Sequence, residues 1–126
     1  MKDGREQERS LKDRTRRFAL SVIELYSSLP RSEVARIMGR QLLRSGTSVG
    51  AHYREGTRAR SDAEFISKME GALQELEETM YWLELLEGSG ICSLDEVKAV
   101  VREADELTGI LVTIVKRVKE RGGRQR

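Results

Sequence analysis

Hydrophobic residues recur along this chain at alternating spacings of three and four, with polar residues between them. From about Ser10 to Ser28, the positions Leu11, Thr15, Phe18, Val22 and Leu25, followed by Leu29, trace one stripe of a helix. That is the pattern of a face packed against other helices. Pro30 ends it, because proline cannot donate the backbone hydrogen bond and disfavours helix in the residue before it. A second segment, from about Arg31 to Arg58, carries Val34, Met38, Leu42, Val49 and Tyr53 on its apolar side, with Ile37 at the border. A third opens at Ser61, where Ser61 and Glu64 fit a capping box in which each side chain satisfies a free backbone N–H. Its seam is Phe65, Met69, Ala72, Leu76, Thr79, Leu83 and Leu86. Gly88-Ser89-Gly90 supplies the stop, since glycine accepts the left-handed conformation of a helix end. The fourth opens at a second box, Ser93 with Glu96, and its seam runs through Leu94, Val97, Val101, Ala104, Thr108, Leu111, Val115 and Val118.

No segment of useful length alternates with the period of a strand. The short connections favour antiparallel neighbours, so the pattern predicts an all-α, up-down-up-down four-helix bundle over residues 10–119. Residues 1–9 are expected to be a flexible charged arm or an extension of the first helix, and residues 120–126 a flexible basic tail.

Two helices carry more apolar surface than one seam requires. Tyr81, Trp82 and Leu85 lie opposite Leu76 and Leu83 on the third helix, and Val100, Leu107, Ile110 and Ile114 widen the stripe of the fourth. A helix that is apolar over most of its circumference is buried on more than one side. A small bundle has no second interior, so a second copy is expected to supply it. Tyr81, Trp82, Leu85 and Ile110 are the expected oligomer contact.

The stretch 41-QLLRSGTSVGAHYREG-56 holds three glycines inside a helical pattern, each costing about 1 kcal/mol against alanine. Ser45, Gly46, Val49 and Tyr53 share a face with Met38 and Leu42, so Gly46 marks a tight helix crossing whose cost is offset by contact. Gly50 and Ala51 face elsewhere, toward a second neighbour. Gly56 reads as a stop or bend before Ser61. The segment GTSVG has no GK[ST] ending and follows no strand, so it is not a phosphate-binding loop.

The chain has 126 residues, 35% of them charged and 5% aromatic, with a single proline. That is the size and composition of one domain of long helices. No apolar run is long enough for a transmembrane helix, and the charged N-terminus lacks a signal-peptide core. Cys92 is the only cysteine, which excludes an intrachain disulfide. A cytoplasmic protein of bacterial type, without membrane contact, is expected.

Net charge is +2, but it is unevenly placed. Residues 1–60 have 14 Lys/Arg against 7 Asp/Glu, net +7; residues 61–115 have 3 against 13, net −10; residues 116–126 have 6 against 1, net +5. Such asymmetry marks either a nucleic-acid surface or acidic and basic helices that pair with each other.

The segment QLLRSGTSVGAHYREGTRARSDAEFISKMEGALQELEETMYWLELL brings several short motifs together. They are Leu29-Pro30, Gln41-Leu42-Leu43-Arg44-Ser45, Glu55-Gly56, Glu64-Phe65 and Leu73-Gln74-Glu75-Leu76-Glu77. In this combination the chain resembles the bacterial four-helix-bundle family of 23S rRNA intervening-sequence proteins, over about residues 15–118. It departs from the family pattern at Ala51-His52-Tyr53-Arg54 and at Gln74-Glu75 in the third helix. Relatives of that family include the accessory variability determinant of diversity-generating retroelements. The resemblance implies a homopentamer, a nucleic-acid partner and work beside a reverse transcriptase. It implies no enzyme.

The strongest local signal is a row of arginines. Arg36, Arg40 and Arg44 are four apart, and Arg54 and Arg58 return to the same side of the second helix, opposite Val34, Met38 and Leu42. Guanidinium groups in a row suit a phosphate backbone, whether RNA or DNA, because each donates two aligned hydrogen bonds and releases counterions. The competing reading is a solvated strip, or one that pairs with Glu70, Glu77 and Glu84 of the third helix. No aromatic residue interleaves with the arginines, which argues against reading single-stranded bases by stacking. The runs Arg14–Arg17 and Lys116–Arg121 add to the basic ends, and cations at the end of a helix also suit its dipole.

His52 is the only histidine. A di-iron bundle needs two Glu-x-x-His motifs, whereas this chain has one His-x-x-Glu in reverse order. No metal, no cofactor and no nucleophilic enzyme chemistry are expected. Cys92 sits beside a helix start, which can activate a thiol, but a small buried residue is the simpler reading.

Overall fold

The computed structural model describes residues 4–124. It contains α1 (Gly4–Ser28), α2 (Glu33–Thr57), α3 (Asp62–Gly88) and α4 (Leu94–Arg124), with no strand among the described residues. Consecutive helices pack side by side and α1 also meets α4, so the four form a closed square with α1 diagonal to α3.

The helix ends follow from local chemistry. Ser32, a cap the hydrophobic pattern did not reveal, accepts from the Ala35 N–H at 3.2 Å and starts α2. Ser61 accepts from the Glu64 N–H, while Glu64 reaches the N–H of Arg60, one residue outside the expected box. At α4 the box is complete: Ser93 accepts from the Glu96 N–H at 3.2 Å, and the Ser93 N–H donates to Glu96 at 2.9 Å. Ser93→Ala is therefore expected to cost about 1 kcal/mol, lowering Tm by a few degrees in a melt followed by circular dichroism. Between α3 and α4 the chain reverses through Gly90, whose φ of +80° is the left-handed value expected of this stop. The Cys92 N–H closes the turn onto the Leu86 carbonyl at 2.9 Å.

The core largely follows the expected seams: Phe18, Val22, Leu42, Val49, Met69, Leu76, Leu83 and Leu111 are all buried. On α4, however, Val100 and Leu107, expected as surplus surface, are buried in the core too, and the seam positions Val101, Thr108 and Val118 are only half-buried. Two polar contacts thread it. Thr79 donates to Ser45 at 2.9 Å, tying α3 to α2, and Thr15 returns its hydroxyl to the Leu11 carbonyl.

Several expectations are corrected. Helix α1 begins at Gly4, so of the two expectations for residues 4–9 the extension of the first helix holds and the arm does not; the Tyr53 hydroxyl donates to the Glu8 carbonyl there at 3.4 Å. Helix α4 continues to Arg124, through most of the expected tail. Residues 1–3 of the arm and 125–126 of the tail lie outside the described residues. Val34 and Leu94, placed on apolar seams by their spacing, are 56% and 65% exposed. Each lies in the first turn of its helix at the edge of its stripe, Val34 beside the buried Ala35 and Leu94 at the rim of the cleft between α3 and α4. Gly56 keeps ordinary helical backbone and is buried against the terminal methyl of Met69. Its role is close packing, not a stop.

Candidate nucleic-acid interface

Helix α2 is one of four sides of the square, and its buried half faces α1 and α3. The opposite half carries the arginines. At about 1.5 Å per residue the row from Arg36 to Arg58 extends about 33 Å. Arg36, Arg40, Arg54 and Arg58 are all exposed, and none makes an ion pair with the described residues. They form two pairs about 21 Å apart, separated by Leu43, Thr47 and Ala51, none of them charged.

Arg44 is different. It donates to Glu78 at 2.6 Å and to Glu75 at 3.5 Å, both on α3. The reason is geometric. Steps of four residues advance 400°, so each step drifts about 40° around the helix. Two steps from Arg36 carry Arg44 about 80° toward α3, out of the row and into reach of its carboxylates. The row therefore has four open members, and the expected acidic partners Glu70, Glu77 and Glu84 take none of the five arginines.

Elsewhere, acidic and basic segments do pair across helices. Arg14 of α1 bridges Glu103 and Glu106 of α4, the latter at 2.8 Å. Lys119 and Arg121 of α4 reach Glu70 and Asp62 of α3, each at 3.3 Å, and Lys68 meets Glu55 at 2.8 Å. The Glu55 carboxyl is held below its ordinary value by its hydrogen bond from Lys68 and then by the ammonium charge. Part of the uneven charge is thus consumed in holding the bundle together, but the outer row of α2 is not.

The expected oligomer residues do not form one patch. Tyr81 is exposed and lines a groove of about 730 Å³ between α3 and α4, together with Met80, Val101, Leu94 and Val112. Trp82 and Leu85 are half-buried and lie seven residues beyond Glu75 and Glu78, on the side of α3 that meets α2. Ile110 lines the groove between α1 and α4 beside Arg14. Adjacent helical residues point about 100° apart, which is why Tyr81 and Trp82 diverge despite their edge-to-face contact at 5.3 Å. Leu20 and Ile23 on α1 are exposed aliphatic residues that the pattern did not assign to any contact, and Val34 and Ile37, expected on and beside the apolar side of α2, are exposed as well.

His52 is half-buried in the crevice between α2 and α3. A Cβ on Gly71 would lie 2.9 Å from its Nδ1, so glycine at 71 makes the room for the ring. Among the described residues, no group of three or more His, Cys, Asp or Glu is placed to hold a metal. Cys92 is buried, and burial followed by the Glu96 charge pushes its thiol above the ordinary value, the opposite of an activated nucleophile. No helix among the described residues is long and apolar enough to cross a membrane.

Tyr53 closes one end of the bundle core. Burial, and then the charge of Glu8, pushes its phenol up to about 12. A raised value means that the folded state keeps a proton the unfolded chain has already lost. The stabilisation is complete below the ordinary tyrosine value and disappears as pH rises through about 12. Tyr53→Phe is expected to flatten the alkaline arm of the stability profile, measured by urea unfolding at stepwise higher pH.

The model of a family described as 23S rRNA-intervening sequence protein matches residues 7–113. Among solved structures, the chain is similar to a protein of unknown function from the S23 ribosomal protein family of Bacteroides thetaiotaomicron. The two share 37% identity and a TM-score of 0.81, over 86% of this chain and 97% of that one. No curated protein matches.

Proposed function

The chain belongs to the 23S rRNA-intervening sequence protein family, and from that premise we propose a non-enzymatic, self-assembling bundle that binds nucleic acid through the outer face of α2. The observation that carries this reading is the row of Arg36, Arg40, Arg54 and Arg58, exposed and without an ion pair among the described residues. Arg14, Arg44, Lys68, Lys119 and Arg121 are engaged across helices, whereas these four are aligned on one face and available to phosphates. Assembly repeats the row and lets modest contacts add. The resemblance to the retroelement accessory protein suggests a ring of five copies, an RNA or DNA ligand, and a reverse transcriptase as protein partner.

The chemistry is electrostatic. Each phosphate neutralised releases counterions, so affinity falls with salt at a slope of about 0.9 per contact on duplex DNA. Four contacts per chain give a loss on the order of a hundredfold between about 50 and 200 mM salt. Fluorescence anisotropy of a labelled duplex across that range tests it; a flat response would contradict the reading.

A second reading is favoured by the apolar groove between α3 and α4. In it the protein is a scaffold for other proteins and contacts no nucleic acid. The same titration separates the two.

A further inference from the structure

The groove between α3 and α4 has an apolar floor of Met80, Val97 and Val101, and Tyr81 and Val112 stand 53% and 49% exposed at its sides. Its rim carries Glu77, Glu84 and Glu87, exposed and without an ion pair among the described residues. An apolar trough edged by free carboxylates fits a helix that presents aliphatic residues with a cation beside them.

This chain offers two such faces. On α2, Ile37 is flanked by Arg36 and Arg40, so seating it would draw two unpaired guanidiniums toward the centre of the contact, where charge is costly. On α1, Leu20 and Ile23 are 46% and 40% exposed, with Arg16 one turn before them and Ser27 one turn after. Arg16 is exposed and unpaired, while Arg17 is already held by Asp13 at 2.9 Å. The α1 face therefore keeps its unpaired cations, Arg9, Lys12 and Arg16, to the N-terminal side of Leu20 and Ile23, where they can run along the glutamate rim, while the exposed carboxylate of Glu24 stands on the other side.

We infer that the outer face of α1 of one copy docks into the α3/α4 groove of the next, with Leu20 and Ile23 on the apolar floor and Arg16 against the glutamate rim. The inference rests on the reading of the protein as self-assembling and names the two surfaces that meet. Because α1 is diagonal to α3 in the bundle, a copy's own α1 cannot reach its groove, and the two faces point in different directions. The contact is head-to-tail: every copy uses both faces, and the assembly closes into a ring or grows as a filament. The arginine row of α2 stays uncovered on each copy.

The test is sedimentation velocity on the full chain and on Arg16→Glu, Glu84→Arg and their combination, with helical content confirmed by circular dichroism. Each single reversal is expected to weaken assembly about tenfold or more, and the combination is expected to restore most of it. A wild-type chain that stays single at every concentration overturns the inference. So do reversals without effect, or a combination that restores nothing. Ile37→Glu dissociating the assembly where Leu20→Glu does not would assign the groove to α2 and overturn it equally. Duplex affinity of Arg36→Ala/Arg40→Ala/Arg54→Ala/Arg58→Ala is read on a separate sample. Loss of the nucleic-acid reading there would leave the sedimentation result standing.

Discussion

Gly46→Val is expected to destabilise the bundle by about 3 kcal/mol or more, seen as a lower midpoint in urea unfolding at unchanged slope. A Cβ at this position would stand 2.7 and 2.8 Å from the two γ-methyls of Val22 and 3.0 Å from its Cβ. Val22 is fully buried, and its branched side chain has few rotamers to escape into. Relief must come from moving α1 away from α2, which opens the core along several turns. Alanine at 46 meets the same wall but recovers about 1 kcal/mol of helix propensity, so its net cost is smaller and still unfavourable. Gly56→Ala is the contrast. The obstacle there is the end of the Met69 side chain, which can swing aside, so the change is expected within about 1 kcal/mol of zero. Val22→Ala should rescue part of the Gly46→Ala loss, a coupling that a double-mutant cycle reads directly.

Replacing Arg36, Arg40, Arg54 and Arg58 together by alanine is expected to lower duplex affinity on the order of a hundredfold or more at about 100 mM salt, and to flatten the salt slope by about 4. The fold should be untouched, because these side chains are exposed and bridge no helices. Arg44→Ala is the internal control. Its guanidinium holds Glu75 and Glu78 of α3, so its loss is expected to leave binding nearly unchanged. Stability should change by about 1 kcal/mol or less, as for other partly exposed ion pairs. If Arg44→Ala weakened binding as much as any member of the row, phosphate contact would not follow freedom from ion pairs, and the row would have no special standing.

Much of this was legible in the pattern of residues, and the failures share a cause. The α3 seam from Met69 to Leu86 is buried throughout because its spacings of four and three average to the helical period. Val34, Met38 and Leu42 are spaced four and four, so the stripe drifts and Val34 falls at its edge, facing out of the bundle while the next residue, Ala35, is buried. The same drift takes Arg44 out of its row. The spacing grouped five arginines; the packing of α3 against α2 removed one. Gly46 at a close crossing was readable from the small residues around it, whereas the Gly56 contact with Met69 was not, because the partner is 13 residues away on the next helix. The Tyr81 and Trp82 pair illustrates a further limit. Periodicity marks a surplus of apolar surface, but which groove each ring faces depends on how the helices are arranged in the square. The exposed aliphatic residues on α1 and α2 were missed for the same reason: a residue counts as surplus only once the core is seen to be complete without it.

The most direct measurement of the central claim is arginine modification by phenylglyoxal, mapped by mass spectrometry with and without a nucleic-acid duplex. In the free protein Arg36, Arg40, Arg54 and Arg58 should react readily and Arg44 slowly. With duplex bound, the four should become protected together while control sites such as the exposed Arg102, on another helix, keep their rate. Equal modification of the row in the presence and absence of duplex would contradict the account.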